Sequence, residues 1–291
     1  MTAKPYIGRF APSPSGPLHL GSLVAALGSY LQARSQQGQW LLRIEDIDPP
    51  REQAGASTLI QKQLEQFALY WDGEVRYQSQ QLKRYQQQID HWLSQQQAYY
   101  CQCTRKQIKA SGGVYLGNCR NKQLSGDGLA LRFCNQQPVY HFHDQAYGEV
   151  QLPTAEAEED FIIKRRDGLY AYNLAVTLDD AEQGITEVVR GADLLYTTGK
   201  QIAIFKRLAQ PAPAYLHLPL VFDQHGNKLS KQNHAPSISG KQNQQLLLKA
   251  LNYLGQASEN QWIELSCEQI LNKAVANWQL ATLPKISLNS Q

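Results

Sequence analysis

The chain has no run of about 18 apolar residues, the length a helix needs to cross a bilayer, and its N-terminus carries no basic segment followed by an apolar one. A membrane span and a secretory leader are therefore not expected, and the sequence reads as that of a cytoplasmic protein. Charge of one sign is also scarce. The 28 basic and 25 acidic side chains leave a net +3, which permits a nucleic-acid partner but confines any RNA contact to a local patch. There are five cysteines, and in a reducing compartment these are thiols or metal ligands rather than a disulfide framework. No side chain stands out as a general base.

With 291 residues and 42% hydrophobic content, the chain can build one large domain, or a domain with an insertion, around a real core. The abundant glutamines, in 61–66, 78–97 and 242–245, read as helix-surface filler, because the apolar period persists between them.

The most informative stretch begins with the short apolar strand 6–10. Pro12, Pro14, Gly16 and Pro17 then force a turn, and a helical pattern opens at Ser22. A turn at a helix N-terminus gathers unpaired N–H groups and the positive end of the helix dipole, which suits a polyphosphate, and Gly21 lets a base or ribose approach the backbone. A second strand, 41–44, runs into Glu45-Asp46-Ile47-Asp48. In an alternating β/α pattern this sets carboxylates at the carboxyl edge of a parallel sheet, where ligands bind, although Asp46 and Asp48 also suit simple helix capping.

Amphipathic helical patterns over 54–69 and 80–97 lead to Cys101, Cys103 and Cys119. Zinc takes four tetrahedral ligands, and three thiolates leave one place. No His, Asp or Glu lies between Cys103 and Cys119. Tyr115 is the one side chain there with an oxygen that can become anionic, and His141 and His143 are the alternatives from outside the loop. Cys134 and Cys267 stand apart and read as small buried hydrophobes. Short β-like runs fill 129–150. Asp167-Gly168 predicts a hairpin joining 161–165 to 169–172, with the basic cluster Lys164-Arg165-Arg166 at its tip. Arg190, at the end of an apolar run, is either bridged to Glu187 or Asp193 or serves as a carboxylate receptor, with the Tyr172 hydroxyl beside it from a neighbouring strand. Finally Lys228-Leu229-Ser230-Lys231-Gln232 offers two lysines on a loop, able to neutralise charge developing on a phosphate.

His19-Leu20-Gly21-Ser22 resembles the HIGH signature of class I aminoacyl-tRNA synthetases, and Lys228 to Gln232 resembles their KMSKS loop, with Leu for Met and Gln for the last Ser. The longer string from Arg9 to His19 is similar to the glutamyl branch of that class. The resemblance spans essentially the whole chain. It implies an α/β fold, a Rossmann-type parallel-sheet catalytic domain (1–98 and 156–232) interrupted by a mixed, zinc-bearing insertion (99–155) and followed by a short helical tail (233–291).

For the site, the resemblance implies that L-glutamate is held by Arg9, Phe10, Ala11, Pro12, Ser13, Tyr172 and Arg190, with Glu45 receiving the ammonium. ATP, with Mg2+, would lie on His19, Gly21 and Lys231, and catalysis would rest on His19, Lys228 and Lys231. One structural zinc would be held by Cys101, Cys103, Tyr115 and Cys119, a set found in short glutamyl-type synthetases. Only 59 residues follow Gln232, so no anticodon-binding domain is expected. That layout resembles short enzymes of this branch that join glutamate to queuosine in the anticodon of tRNA(Asp). The expected partner is accordingly the queuosine-bearing anticodon stem-loop, engaged by a monomer. The rivals are a truncated synthetase charging a tRNA 3′ end or another carrier, and a non-catalytic RNA-binding paralogue.

Overall fold

A computed structural model describes residues 5–115, 117–222, 229, 237–238 and 242–285. The first unit is β1 (Ile7–Phe10), α1 (Leu20–Ser35) and β2 (Gln39–Ile44), and β1 and β2 run parallel with Ile7 opposite Gln39 and Phe10 opposite Leu42. Next come α2 (Ala56–Gln66), the short β3 (Arg76–Tyr77), parallel to β2, and α3 (Leu82–Ser94). Further along, β9 (Glu187–Gly191) and β10 (Ala214–Leu218) pair in parallel, flanked by α6 (Tyr172–Glu182) and α7 (Thr198–Arg207). The two groups meet where β1 lies beside β9. There the Thr186 N–H donates to the Ile7 carbonyl at 2.9 Å, and the Ile7 N–H to Thr186 Oγ1 at 2.9 Å. Because the strands run the same way, Phe10, Ile44, Gly191 and Leu218 end along one edge, where α/β sheets bind ligands.

The stretch 99–155 divides between two sheets. β4 (Ala98–Cys101), β5 (Ala130–Phe133) and β8 (Ile162–Lys164) form an antiparallel sheet next to the small helix α4 (Arg105–Ala110). β6 (His141–Asp144) and β7 (Gly148–Gln151) form a hairpin whose first strand meets β10 in parallel at Asp144 and Tyr215, and the short helix α5 (Thr154–Glu158) follows. The predicted Asp-Gly turn is present, with the Arg165 N–H bonded to the Leu169 carbonyl at 2.8 Å and Lys164 bridged to Tyr170. Its second arm stops at Ala171, however, and Tyr172 opens α6 instead of ending a strand. That helix is buried at every position from Leu174 to Asp180, so its apolar residues show no helical stripe for periodicity to detect.

α1 is buried almost all round, between the sheet and the tail helices α8 (Asn243–Tyr253) and α9 (Cys267–Ala276). A Cβ on Gly28 would stand 2.5 Å from Leu218 Cδ1, so glycine there lets the helix lie directly on β10. Trp40 is fully buried, edge-on to Tyr30 with ring centroids 5.2 Å apart, and donates to Ser29 Oγ at 2.9 Å. Removing such a ring costs about 3–5 kcal/mol. The tail is tied to the sheet through Gln32, which accepts from Trp278 Nε1 at 2.7 Å and donates to Glu187 at 2.8 Å.

The glutamines are not all filler. Gln63 is buried and accepts from the Leu18 N–H at 2.8 Å, and buried Gln78 donates to Asp179 at 2.7 Å. Cys134 is buried as expected, whereas Cys267 is only half-buried at the start of α9.

Candidate active site

The turn after β1 is pinned to the end of β2, where the Glu45 N–H donates to the Pro12 carbonyl at 3.0 Å, and the Gln53 N–H bonds the Pro14 carbonyl at 2.9 Å. Gly16 takes φ +123°, a left-handed backbone that favours glycine. The turn delivers His19 as the N-cap of α1, its Nδ1 accepting from the Ser22 N–H at 3.2 Å. In the neutral ring that bond leaves the proton on Nε2, so His19 presents a donor at the positive end of a sixteen-residue helix. Beside it lies a cavity of about 190 Å³ lined by His19, Gly21, Ser22, Gly191, Pro219 and Leu229, among others. A Cβ on Gly21 would meet the His19 ring at 3.1 Å, and one on Gly191 would meet Asp193 Oδ1 at 2.7 Å, so both glycines keep this space open. Lys228 and Lys231 lie outside the described residues. Leu229, between them, bonds the Val221 carbonyl at 2.8 Å and lines the cavity.

A buried ionic cluster fills the space under β1, β2 and α6. Arg9 is held on both oxygens of Asp180, at 3.0 and 3.2 Å. Arg43, fully buried, donates to the same Asp180 at 2.8 Å and to Gln183 at 2.8 Å, and reaches Glu45 at 3.5 Å. Asp179 takes Arg84, Tyr85 Oη at 2.7 Å and Gln78. Burial pushes the Asp180 carboxyl up, but the Arg43 and Arg9 guanidiniums overcome this and hold it below the usual range. For Glu45 the balance falls the other way. Desolvation dominates, Arg43 and Arg9 offset only part of it, and the carboxyl is pushed up to about 7.

Arg190 leaves the end of β9 with a different set of neighbours. Its Nε donates to His217 Nε2 at 3.1 Å, Nη1 to Gln201 at 2.8 Å and Tyr172 Oη at 3.4 Å, and Nη2 to Thr198 at 2.8 Å and the Leu194 carbonyl at 3.4 Å. The predicted neighbour Tyr172 is therefore present, but from the first turn of α6 rather than from a strand. Phe10 is packed in the core, stacked on Trp40 at 6.2 Å, and so can touch a ligand only through its backbone. Arg9, Glu45, Tyr172 and Arg190 share the carboxyl edge with the His19 cavity. Asp46 binds the Ser79 N–H and hydroxyl, at 2.8 and 2.6 Å, and Asp48 pairs with Arg51 and Arg165, so both are structural ties, but neither caps α2, whose N-cap is Gly55.

The three cysteines converge. Their sulfurs lie within 4.8 Å of one another, with Cys103 and Cys119 3.6 Å apart. Tetrahedral zinc with bonds of about 2.3 Å sets sulfurs about 3.8 Å apart, so the group fits that ion. The Tyr115 oxygen is in the same buried cluster and accepts from the Cys119 N–H at 2.8 Å. His141 and His143 are elsewhere, exposed on β6 and sharing Glu149 at 3.5 and 3.1 Å. The basic cluster at the 164–168 turn is spent on ties: Lys164 to Gln86, Arg165 to Asp48 and Asp167, and Arg166 to the Gln102 carbonyl.

The site residues missed in the sequence are Arg43, Asp144, Asp179, Asp180 and His217. The available signal was a charge or imidazole within an apolar run, as in Leu41-Leu42-Arg43-Ile44 and Tyr215-Leu216-His217-Leu218, since a buried charge demands a partner.

Residues 7–262 match the family model for class I tRNA synthetases (E and Q), catalytic domain. The chain belongs to this family. It is 58% identical over 285 residues, 98% of the chain and 93% of the relative, to glutamyl-Q tRNA(Asp) synthetase of Vibrio vulnificus strain CMCP6. It is 55% identical over 282 residues, 97% and 91%, to the protein of the same name from Photobacterium profundum. Among solved structures, glutamate-tRNA synthetase from Elizabethkingia anophelis aligns with a TM-score of 0.80 at 23% identity, over 96% of this chain and 67% of that one. At that identity the likeness speaks for the fold, a synthetase-type α/β domain with a parallel sheet. No helix among the described residues is long and apolar enough to cross a membrane.

Proposed function

We propose that this synthetase activates L-glutamate with ATP, without needing tRNA for that step, and transfers the glutamyl group to the cyclopentene diol of queuosine in the anticodon of tRNA(Asp). The reading is supported by the meeting, on one sheet edge, of Arg190 with Tyr172, a pair suited to a carboxylate, of Glu45, suited to an ammonium, and of a helix N-terminus bearing His19. Glutamate has two carboxylates and one ammonium, and Arg9, Arg190 and Glu45 match that count. In the first step a glutamate α-carboxylate oxygen attacks the α-phosphorus of ATP and pyrophosphate leaves. His19, the α1 N-terminus, Lys228 and Lys231 stabilise the charge that gathers on the phosphate, with Mg2+ on the nucleotide. In the second step a hydroxyl of the queuosine diol attacks the acyl carbon and AMP departs. Proximity carries this step, since the glutamyl-adenylate is already activated.

The acceptor is favoured by the names of relatives that share more than half of their residues with this chain over nearly its full length. The diol also has two adjacent hydroxyls on a five-membered ring, as a terminal ribose does, so one site geometry serves either acceptor. Cys101, Cys103, Tyr115 and Cys119 would hold one zinc. Its role is structural: it would cross-link the loop after β4 and supply no catalytic water. We take the working form to be a cytoplasmic monomer, with the insertion assigned to 99–155 and the helical tail to 233–291. The test is labelled glutamate with ATP and tRNA(Asp) that has or lacks queuosine. Labelling confined to the queuosine form, and insensitive to prior masking of the terminal ribose, is expected. Equal labelling of both forms would move the acceptor to the 3′ end.

A further inference from the structure

Arg190 is gripped by a buried relay that the reaction scheme above leaves unused. His217 and Asp144 are fully buried, one on β10 and the other at the end of β6. His217 Nδ1 lies 2.6 Å from Asp144 Oδ2, and Nε2 lies 3.1 Å from Arg190 Nε. Arginine can only donate, so Nε2 must accept, and the ring proton therefore sits on Nδ1, pointing at the carboxylate. Asp144 is itself fixed, because its other oxygen accepts the N–H groups of Ala146 and Tyr147, both at 3.0 Å. Burial holds the imidazole below its ordinary pKa despite the pull of Asp144, and the positive Arg190 acts in the same direction as burial, so the ring is neutral at physiological pH.

The five bonds of the guanidinium fall into two classes. His217, Gln201 and Thr198 hold it at 3.1, 2.8 and 2.8 Å, on Nε, Nη1 and Nη2 respectively, which fixes its plane. The contacts to Tyr172 and the Leu194 carbonyl, one on each terminal nitrogen, are 3.4 Å long and correspondingly weak. They are the two that an incoming carboxylate can exchange for its own oxygens, one from each nitrogen, in the bidentate geometry arginine favours.

We propose that His217, oriented by Asp144, is a positioning residue that sets the plane of Arg190 for a carboxylate of the glutamate substrate, and does so as a neutral acceptor so that no protein carboxylate has to take the Nε position. The assignment rests on the reading of Arg190 as a glutamate receptor. A carboxylate in place of His217 would cancel charge that the substrate needs, whereas this relay keeps the anion, Asp144, one imidazole away.

The test is steady-state pyrophosphate exchange with the full chain. His217→Leu removes the acceptor and should raise the KM for glutamate tenfold or more, the order expected for a lost charge-assisted hydrogen bond, with the KM for ATP unchanged. His217→Gln restores an acceptor near the Nε2 position and should recover most of that loss. Asp144→Asn can donate its amide to Nδ1, moving the ring proton to Nε2, where it opposes Arg190 Nε–H, and should raise the KM for glutamate like His217→Leu. The 15N shifts of the ring, read in wild type and in Asp144→Asn, should report Nδ1–H and then Nε2–H. A wild-type ring protonated on Nε2 overturns the proposal even if the variants fail to fold. So does a folded His217→Leu with unchanged glutamate KM while Arg190→Lys is impaired. If Arg190→Lys is also unimpaired, the glutamate-receptor reading of Arg190 falls with it.

Discussion

Glu45 offers the sharpest quantitative test, because in the proposed reading its carboxyl has to be ionised to receive an ammonium and the fold makes ionisation difficult. Desolvation at the buried end of β2 is the largest influence, Arg43 and Arg9 offset it in part, Asp180 and Asp179 add to it, and the outcome is a pKa pushed up to about 7. The ionised fraction is then about nine-tenths at pH 8 and about one-tenth at pH 6. If only the carboxylate binds glutamate, the KM for glutamate should rise roughly eightfold to tenfold from pH 8 to pH 6, a penalty of about 1.3 kcal/mol, while the KM for ATP stays level.

Glu45→Gln should raise the glutamate KM at pH 8 and abolish its dependence on pH. Stability gives an independent check of sign. The folded pKa lies above the ordinary 4.5, so the contribution of Glu45 to stability is fully present below about pH 4.5 and is lost as pH rises through about 7. Charged Glu45 therefore strains the fold at pH 8, and Glu45→Gln should raise the melting temperature there and leave it nearly unchanged at pH 4. A wild-type glutamate KM that is flat from pH 6 to 8, or that bends near 4.5, would refute the reasoning.

Asp180 is the shared partner of Arg9 and Arg43, so Asp180→Ala leaves two buried guanidiniums without that partner and should cost about 3–5 kcal/mol, read as a lower denaturant midpoint. Because its pKa is held low, the stabilisation from Asp180 should be present above its ordinary value near 3.8 and fade as pH falls below it. Metal analysis should find one zinc per chain in wild type and weaker retention against a chelator in Tyr115→Phe; equal retention would remove the phenol from the ligand set. Lys231→Ala should depress turnover in pyrophosphate exchange by a large factor and shift the glutamate KM far less, because in the proposed scheme the lysine meets charge that exists only in the transition state. Normal turnover with weakened glutamate binding would contradict that role.

Local grammar determined a good deal of this protein. The strand, the proline-punctuated turn and the helix that places His19 at an N-cap are written in consecutive residues, as are the Asp167-Gly168 turn and the crowding of Cys101, Cys103, Tyr115 and Cys119 into one short segment. Such features depend on backbone preferences that act over a few residues, so the order of the chain suffices to reveal them. What the order could not reveal was partnership across distance. Arg43 and Asp180 are 137 residues apart and bond at 2.8 Å, and His217 reaches Asp144 across 73. Only the packing of α6 against β2, and the parallel pairing of β6 with β10, bring those groups together. The same packing turned Tyr172 from strand to helix, because a segment buried on every side shows no period, and it drew Gln63 and Gln78 from a supposed helix surface into the interior. Burial also decided the chemistry. The sequence supplies Glu45 as an ordinary carboxylate, and the loss of water around it, reinforced by two aspartates and offset in part by two arginines that only the tertiary structure assembles, moves its protonation to neutral pH.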